Sequence, residues 1–148
     1  LTPTAKGIFL QKGTSLMLLN EELQRFETIR EHVQEFSLSP DGKKIAVGKG
    51  NEIVLFFLEE DLDQPKHAKG ESVGLATFND PVSNLVWITS HYILFSTGNS
   101  IKMAEIDTRD QVNVADLKIS SSPFFWDDKE KSLLLLSEGM LSLSEKLF

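Results

Sequence analysis

Cysteine is absent from this 148-residue chain. That excludes disulfides, thiolate nucleophiles and cysteine-ligated zinc together, and it is compatible with reducing and oxidising compartments alike. Histidine is nearly as scarce: His32, His67 and His91 have no mutual spacing suited to a metal, and each reads as a surface or turn residue. Positive charge is thin, with 15 Lys and Arg against 22 Asp and Glu, a net charge of −7. A nucleic-acid surface needs clustered cations. Here the doublet Lys43-Lys44 and the interrupted pair Lys129/Lys131 read as solvated turns. No apolar run approaches the ~18 residues of a membrane span, and no secretory signal pattern is present. The first residue is Leu1 rather than Met, which leads us to expect a chain cut from something longer.

Catalytic signatures are missing too. There is no Gly-x-Ser-x-Gly elbow and no phosphate-cradling glycine loop. The acidic run Glu59, Glu60, Asp61 and Asp63 lacks the fixed offsets of a calcium loop, which Gln64-Pro65 would break; a solvated loop is expected. Asp107 and Asp110 flank Arg109 in a turn and suit an ion pair better than acid–base chemistry. We therefore expect no catalytic residue, no cofactor site and no metal site.

What the chain does have is one hairpin written four times. An apolar strand enters a tight turn and a second apolar strand leaves it, around Gly13, Gly50, Gly98 and Gly139. The anchors are separated by 37, 48 and 41 residues, the period of a propeller blade. A further turn, Ser39-Pro40-Asp41-Gly42, combines a proline that presets φ with a glycine that accepts positive φ. Gly13, Pro40, Asp41, Gly42, Gly50, Gly98 and Gly139 are thus predicted as structural turn positions. Helix is predicted almost nowhere. The one competitor is 20–33, where Leu23, Phe26, Ile29 and Val33 fall at helical spacing, although the repeat calls for a strand.

Leu55-Phe56-Phe57-Leu58 and Leu133-Leu134-Leu135-Leu136 are apolar on both faces, as in strands of a sheet covered on both sides. Propeller blades bury both faces of their middle strands; a sandwich buries one face of each sheet. The expected fold is therefore all-β, with blades of four antiparallel strands and about 3.5 blades in all. Its units are about 1–32 (partial, with no strand expected before Gly7), 33–80, 81–118 and 119–148 (partial). Phe124-Phe125-Trp126 and Trp87 are expected to pack between blades. Such an open row is expected to be completed by a second copy or by a further segment of chain, since rings need about 4–8 blades.

The stretch Phe36-Ser37-Leu38-Ser39-Pro40-Asp41-Gly42-Lys43-Lys44-Ile45-Ala46-Val47 resembles the TolB-type, WD-like propeller repeat. The segment Ile101 to Asn113, with Leu136-Ser137-Glu138-Gly139 and Ser144-Glu145-Lys146-Leu147, is similar to the carboxy-terminal propeller region of PEGA-domain proteins from candidate bacterial phyla. The resemblance covers roughly 33–148 and suggests that Phe148 stands near a natural end. It implies an exported or membrane-anchored protein, anchored outside this segment, with the propeller as a binding or spacing head. The functional expectation is a non-catalytic module for protein or cell-surface binding and scaffolding. The alternatives are an accessory propeller of a larger peptidase or glycan-active enzyme, and a self-assembling structural unit.

Overall fold

A computed structural model describes residues 2–4, 7–62, 65–107, 109, 112–119, 123–137 and 139–147. Fifteen β-strands and no helix occur among them. The first sheet is β1 (Thr2–Thr4), β2 (Gly7–Lys12), β3 (Ser15–Asn20) and β4 (Arg25–Arg30); the second is β5 (Glu35–Leu38), β6 (Lys44–Lys49), β7 (Glu52–Phe57) and β8 (Ser72–Thr77). The third is β9 (Val82–Trp87), β10 (Tyr92–Thr97), β11 (Ser100–Glu105) and β12 (Val114–Ile119). The last has β13 (Phe124–Asp127), β14 (Ser132–Ser137) and β15 (Met140–Leu143). Every sheet runs in chain order with antiparallel neighbours.

One sequence expectation needs correction, and one open choice is decided. Thr2–Thr4 forms a strand, with Pro3 opposite Ile8. It is short and polar, so no alternation betrays it; the neighbour supplies its ladder. Three sheets, not two, are therefore four-stranded. The contested 20–33 segment carries strand β4, as the repeat called for, and no helix. Leu16 to Asn20 pairs with Arg30 to Arg25, and ladder bonds with an apolar neighbour outweigh a weak helical preference.

The hairpins explain the glycine repeat. Lys49 sits opposite Glu52 and Thr97 opposite Ser100, leaving two-residue loops that start at Gly50 and Gly98 with φ of 62° and 55°. A two-residue loop with glycine first and positive φ there matches the hand of strand twist.

Successive sheets pack face to face in chain order. Phe9 and Leu16 of the first meet Ile45 and Val47 of the second. Ala46, Ile53, Leu55 and Phe57 of the second meet Leu85, Trp87, Ile93 and Phe95 of the third. Leu94 and Ile101 of the third meet Phe124, Leu133 and Leu135 of the last. Polar ties follow the same joints. The Val33 amide donates to the Thr14 carbonyl and the Val82 amide to the Gly50 carbonyl, so the second and third sheets each begin against the hairpin turn of the one before. Trp87 Nε1 donates to the Ser37 carbonyl at 2.9 Å.

Among the described residues, one face at each end of this stack stays uncovered. On the last sheet, Phe125, Leu134 and Leu143 lie opposite one another, as do Leu136 and Leu141. Phe125, Leu136, Leu141 and Leu143 are exposed. This corrects the reading of Leu133–Leu136 as doubly buried: Leu133 and Leu135 are in the core, whereas Leu136 is 42% exposed. Phe124 is buried and Phe125 exposed, so the aromatic run splits by strand alternation. On the first sheet, Ile8 is exposed, and Leu10 pairs with Met17 on that same outer side.

Candidate functional site

A cleft of about 350 Å³ lies between the second and third sheets. It opens at the strand ends opposite the glycine hairpins. Lys44 begins β6 and Phe57 ends β7 on one side; Tyr92 begins β10 and Glu105 ends β11 on the other. Repeat-equivalent positions of adjacent sheets thus face each other across it.

The wall on the second sheet is built by the Ser39–Gly42 turn and the following loop. The Gly42 amide donates to the Ser39 carbonyl, closing the turn. The Ser39 hydroxyl donates to Asp41 Oδ1 at 2.6 Å and accepts the Lys44 amide at 3.0 Å. Lys44 is then sent inward. Its side chain is 4% exposed, with Nζ 3.0 Å from Asp61 Oδ2 and 3.3 Å from Asp41 Oδ2. This overturns two expectations: Lys44 is not a solvated turn lysine, and Asp61 is not a solvated loop acid. A buried ammonium needs carboxylate partners, and the acidic run supplies one.

His67 also departs from the surface reading. Its backbone exchanges both hydrogen bonds with Asp61, and its ring stacks on Phe57 at a centroid distance of 4.3 Å. Nδ1 lies 3.0 Å from Glu71 Oε1. His32 and His91 are exposed, as expected.

The electrostatics are those of charges already matched. Burial pushes the Asp41 carboxyl up, but the Ser39 hydroxyl, the Lys43 amide and the Lys44 ammonium outweigh it and hold Asp41 at about 2. The Arg109 guanidinium, then its backbone amide, holds Asp107 at about 2; Asp110 lies outside the described residues. The hydrogen bond from His67, with the Ala68 amide, lowers Glu71. Tyr92 Oη approaches Glu105 Oε1 at 3.4 Å. The cleft is a polar recess with an aromatic wall. Its lining includes no serine, threonine or cysteine among the described residues.

Of the predicted turn positions, Pro40, Asp41 and Gly42 lie in the turn that builds this wall, and Asp41 acts through Lys44. Gly13, Gly50, Gly98 and Gly139 all have positive φ and cap the far strand ends. Sequence reading missed Lys44–Asp61, Phe57–His67 and Tyr92–Glu105. Laying the second and third repeats side by side would have matched Lys44 with Tyr92 and Phe57 with Glu105.

Among the described residues no three acidic or histidine side chains converge as a metal site. No described helix is long and apolar enough to cross a membrane. What the fold defines is an all-β protein of antiparallel sheets stacked in chain order. No protein-family model matches the chain, and no curated protein matches it.

Proposed function

We propose that the chain is a row of β-propeller blades and serves as a non-catalytic interaction and scaffolding module. The observation that carries this reading is the stack itself. Consecutive antiparallel sheets bury three apolar interfaces in chain order and leave an apolar face open at each end. Blades pack on their neighbours in this way, and about 4–8 of them make a ring. Large exposed apolar patches mark association surfaces. Completion then comes from outside these residues, through a second copy or further chain.

The cleft supports the non-catalytic half of the reading. A general base needs a proton affinity near the working pH. Asp41 and Asp107 are instead held far below neutrality by their partners.

Light scattering across a wide concentration range tests the module reading. Association that rises with concentration is expected, and Leu136→Glu should weaken it by placing a carboxylate on the open face. A monodisperse monomer throughout would overturn the reading. So would esterase, peptidase or glycosidase turnover that a single substitution abolishes.

A further inference from the structure

Among the described residues Lys44 is the one lysine or arginine that is buried, and it borders the cleft between the second and third sheets. An ammonium carries three N–H donors. Two are accepted here, by Asp61 Oδ2 at 3.0 Å and by Asp41 Oδ2 at 3.3 Å. Nζ makes no further hydrogen bond to a described residue. The third donor has been taken out of water without a protein acceptor, and a buried donor left unmade is costly. An oxygen held in the cleft can satisfy it.

Charge narrows what that oxygen belongs to. One ammonium faces two carboxylates, so this wall carries surplus negative charge, which repels an anion strongly where water is scarce. An ammonium or guanidinium ligand fails for the opposite reason, since it has no lone pair for the third Lys44 donor. On the other wall the Arg109 guanidinium engages the Asp107 carboxylate through Nε and Nη2, a pair that adds no net charge. A hydroxyl meets both demands, because it is acceptor and donor at once. A carboxylate has acceptor sites for about four hydrogen bonds, so a hydroxyl that accepts from Lys44 can donate to Asp61 beside it.

The rest of the cleft selects more than an isolated hydroxyl. Its volume, about 350 Å³, lies in the range of small-molecule sites. Its lining also offers the His67 ring, stacked on Phe57 and held at Nδ1 by Glu71, together with Ile106. A ring that bears several hydroxyls and also presents C–H groups suits both parts of that lining. We propose that this cleft binds a neutral sugar ring, with one hydroxyl accepting from Lys44 and donating to Asp61 while C–H groups of the ring lie against His67. The inference rests on the module reading and names the ligand class of the module.

The whole chain, isotopically labelled, is titrated to high millimolar concentration with glucose, galactose, mannose and N-acetylglucosamine. Resonances of Lys44 Nζ and of the His67 and Phe57 rings are followed by NMR. At least one neutral sugar should shift all three along a single saturable curve. Its acid and amine analogues (glucuronate and glucosamine in the case of glucose) should bind at least tenfold more weakly. Asp61→Asn removes the surplus charge but keeps an acceptor beside Lys44. It should leave the neutral sugar bound within a few-fold of the parent affinity and strengthen the acid analogue at least tenfold. Should that variant misfold, the ranking of the three analogues on the unaltered chain decides instead. The methyl glycoside of the sugar that binds distinguishes the source: equal affinity marks the end of a glycan, and loss of affinity marks a free monosaccharide.

Three results would overturn the proposal: no shift of Lys44 Nζ with any of the neutral sugars, shifts confined to residues outside the cleft, or an acid or amine analogue that binds as tightly as its neutral parent. Turnover of the bound glycoside, or a chain that stays monomeric at every concentration, would remove the module reading and leave the Lys44 shift standing. An associating chain without that shift would remove this inference alone, so the two failures are separable.

Discussion

At the scale of single residues, the tightest constraint is Gly98. A Cβ there would stand 2.6 Å from Asp80 Oδ2 and would also need φ of 55°. At Gly50 the φ is 62°, but a Cβ would meet nothing. Both replacements by alanine carry the cost of a left-handed backbone, about 1–3 kcal/mol. Gly98→Ala should lose more, because the Asp80 carboxylate has to move. Urea midpoints of the two variants measure the difference, and equal losses would show that Asp80 yields freely. Lys44 is the second such residue. Lys44→Met leaves Asp41 and Asp61 facing each other without their shared cation. Removing one partner of a buried ion pair costs roughly 3–5 kcal/mol, and the loss should shrink on acidification as Asp41 takes up a proton.

The Asp41 carboxyl also sets a pH window. It sits at about 2 in the folded chain against 3.8 for an ordinary aspartate. A depressed carboxyl stabilises the fold above the unfolded value, and that contribution is lost as pH falls through the folded value. Stability in urea should therefore decline between about pH 4 and 2. Asp41→Asn should flatten that part of the profile. An unchanged slope would place the acid sensitivity elsewhere.

At the scale of elements, Glu35 joins the second sheet to the third. Its carboxylate accepts the Leu85 amide at 3.0 Å and the Asn84 amide at 3.1 Å. These amides belong to β9, where the register shifts against β10 and Asn84 has φ of 55°. Burial raises the Glu35 carboxyl, and the Leu85 and Asn84 amides oppose that rise. Glu35→Ala would leave two part-buried amides without an acceptor. Hydrogen bonds to a charged group contribute about 1.5–3 kcal/mol each, so a loss of that order is expected, with faster amide exchange at Leu85. Exchange as slow as in the parent chain would show that the bulge holds without Glu35.

At the scale of the whole molecule, the stack has two ends and no internal reason to stop. The interior joints bury Phe57, Trp87, Phe95 and Phe124, while the last sheet presents Phe125 and a leucine row to solvent. Concentration-dependent association is the expected consequence. A charge at Leu136 tests it on one end and a charge at Ile8 on the other. If both single variants become monomeric while their equimolar mixture forms a dimer, the last sheet of one copy packs on the first sheet of another. Association of the Ile8→Glu variant by itself would instead show that like ends pair.

Strand type and hairpin positions were legible in the sequence because they depend on local chemistry. Alternation decides which face a side chain takes, and glycine decides where a two-residue turn closes; both act within about ten residues. The antiparallel strands, the Gly50 and Gly98 loops and the turn at Pro40 and Asp41 all follow from such signals. Only the tertiary structure decided the rest. Thr2–Thr4 became a strand because β2 offered an open ladder. Lys44, Asp61 and His67 left the solvent because a loop without periodicity folded back onto β6 and β7. Leu136 stayed exposed although its neighbours in sequence are as apolar as any core strand. Burial depends on whether another sheet arrives to cover a face, and that is a property of the stack, not of the strand.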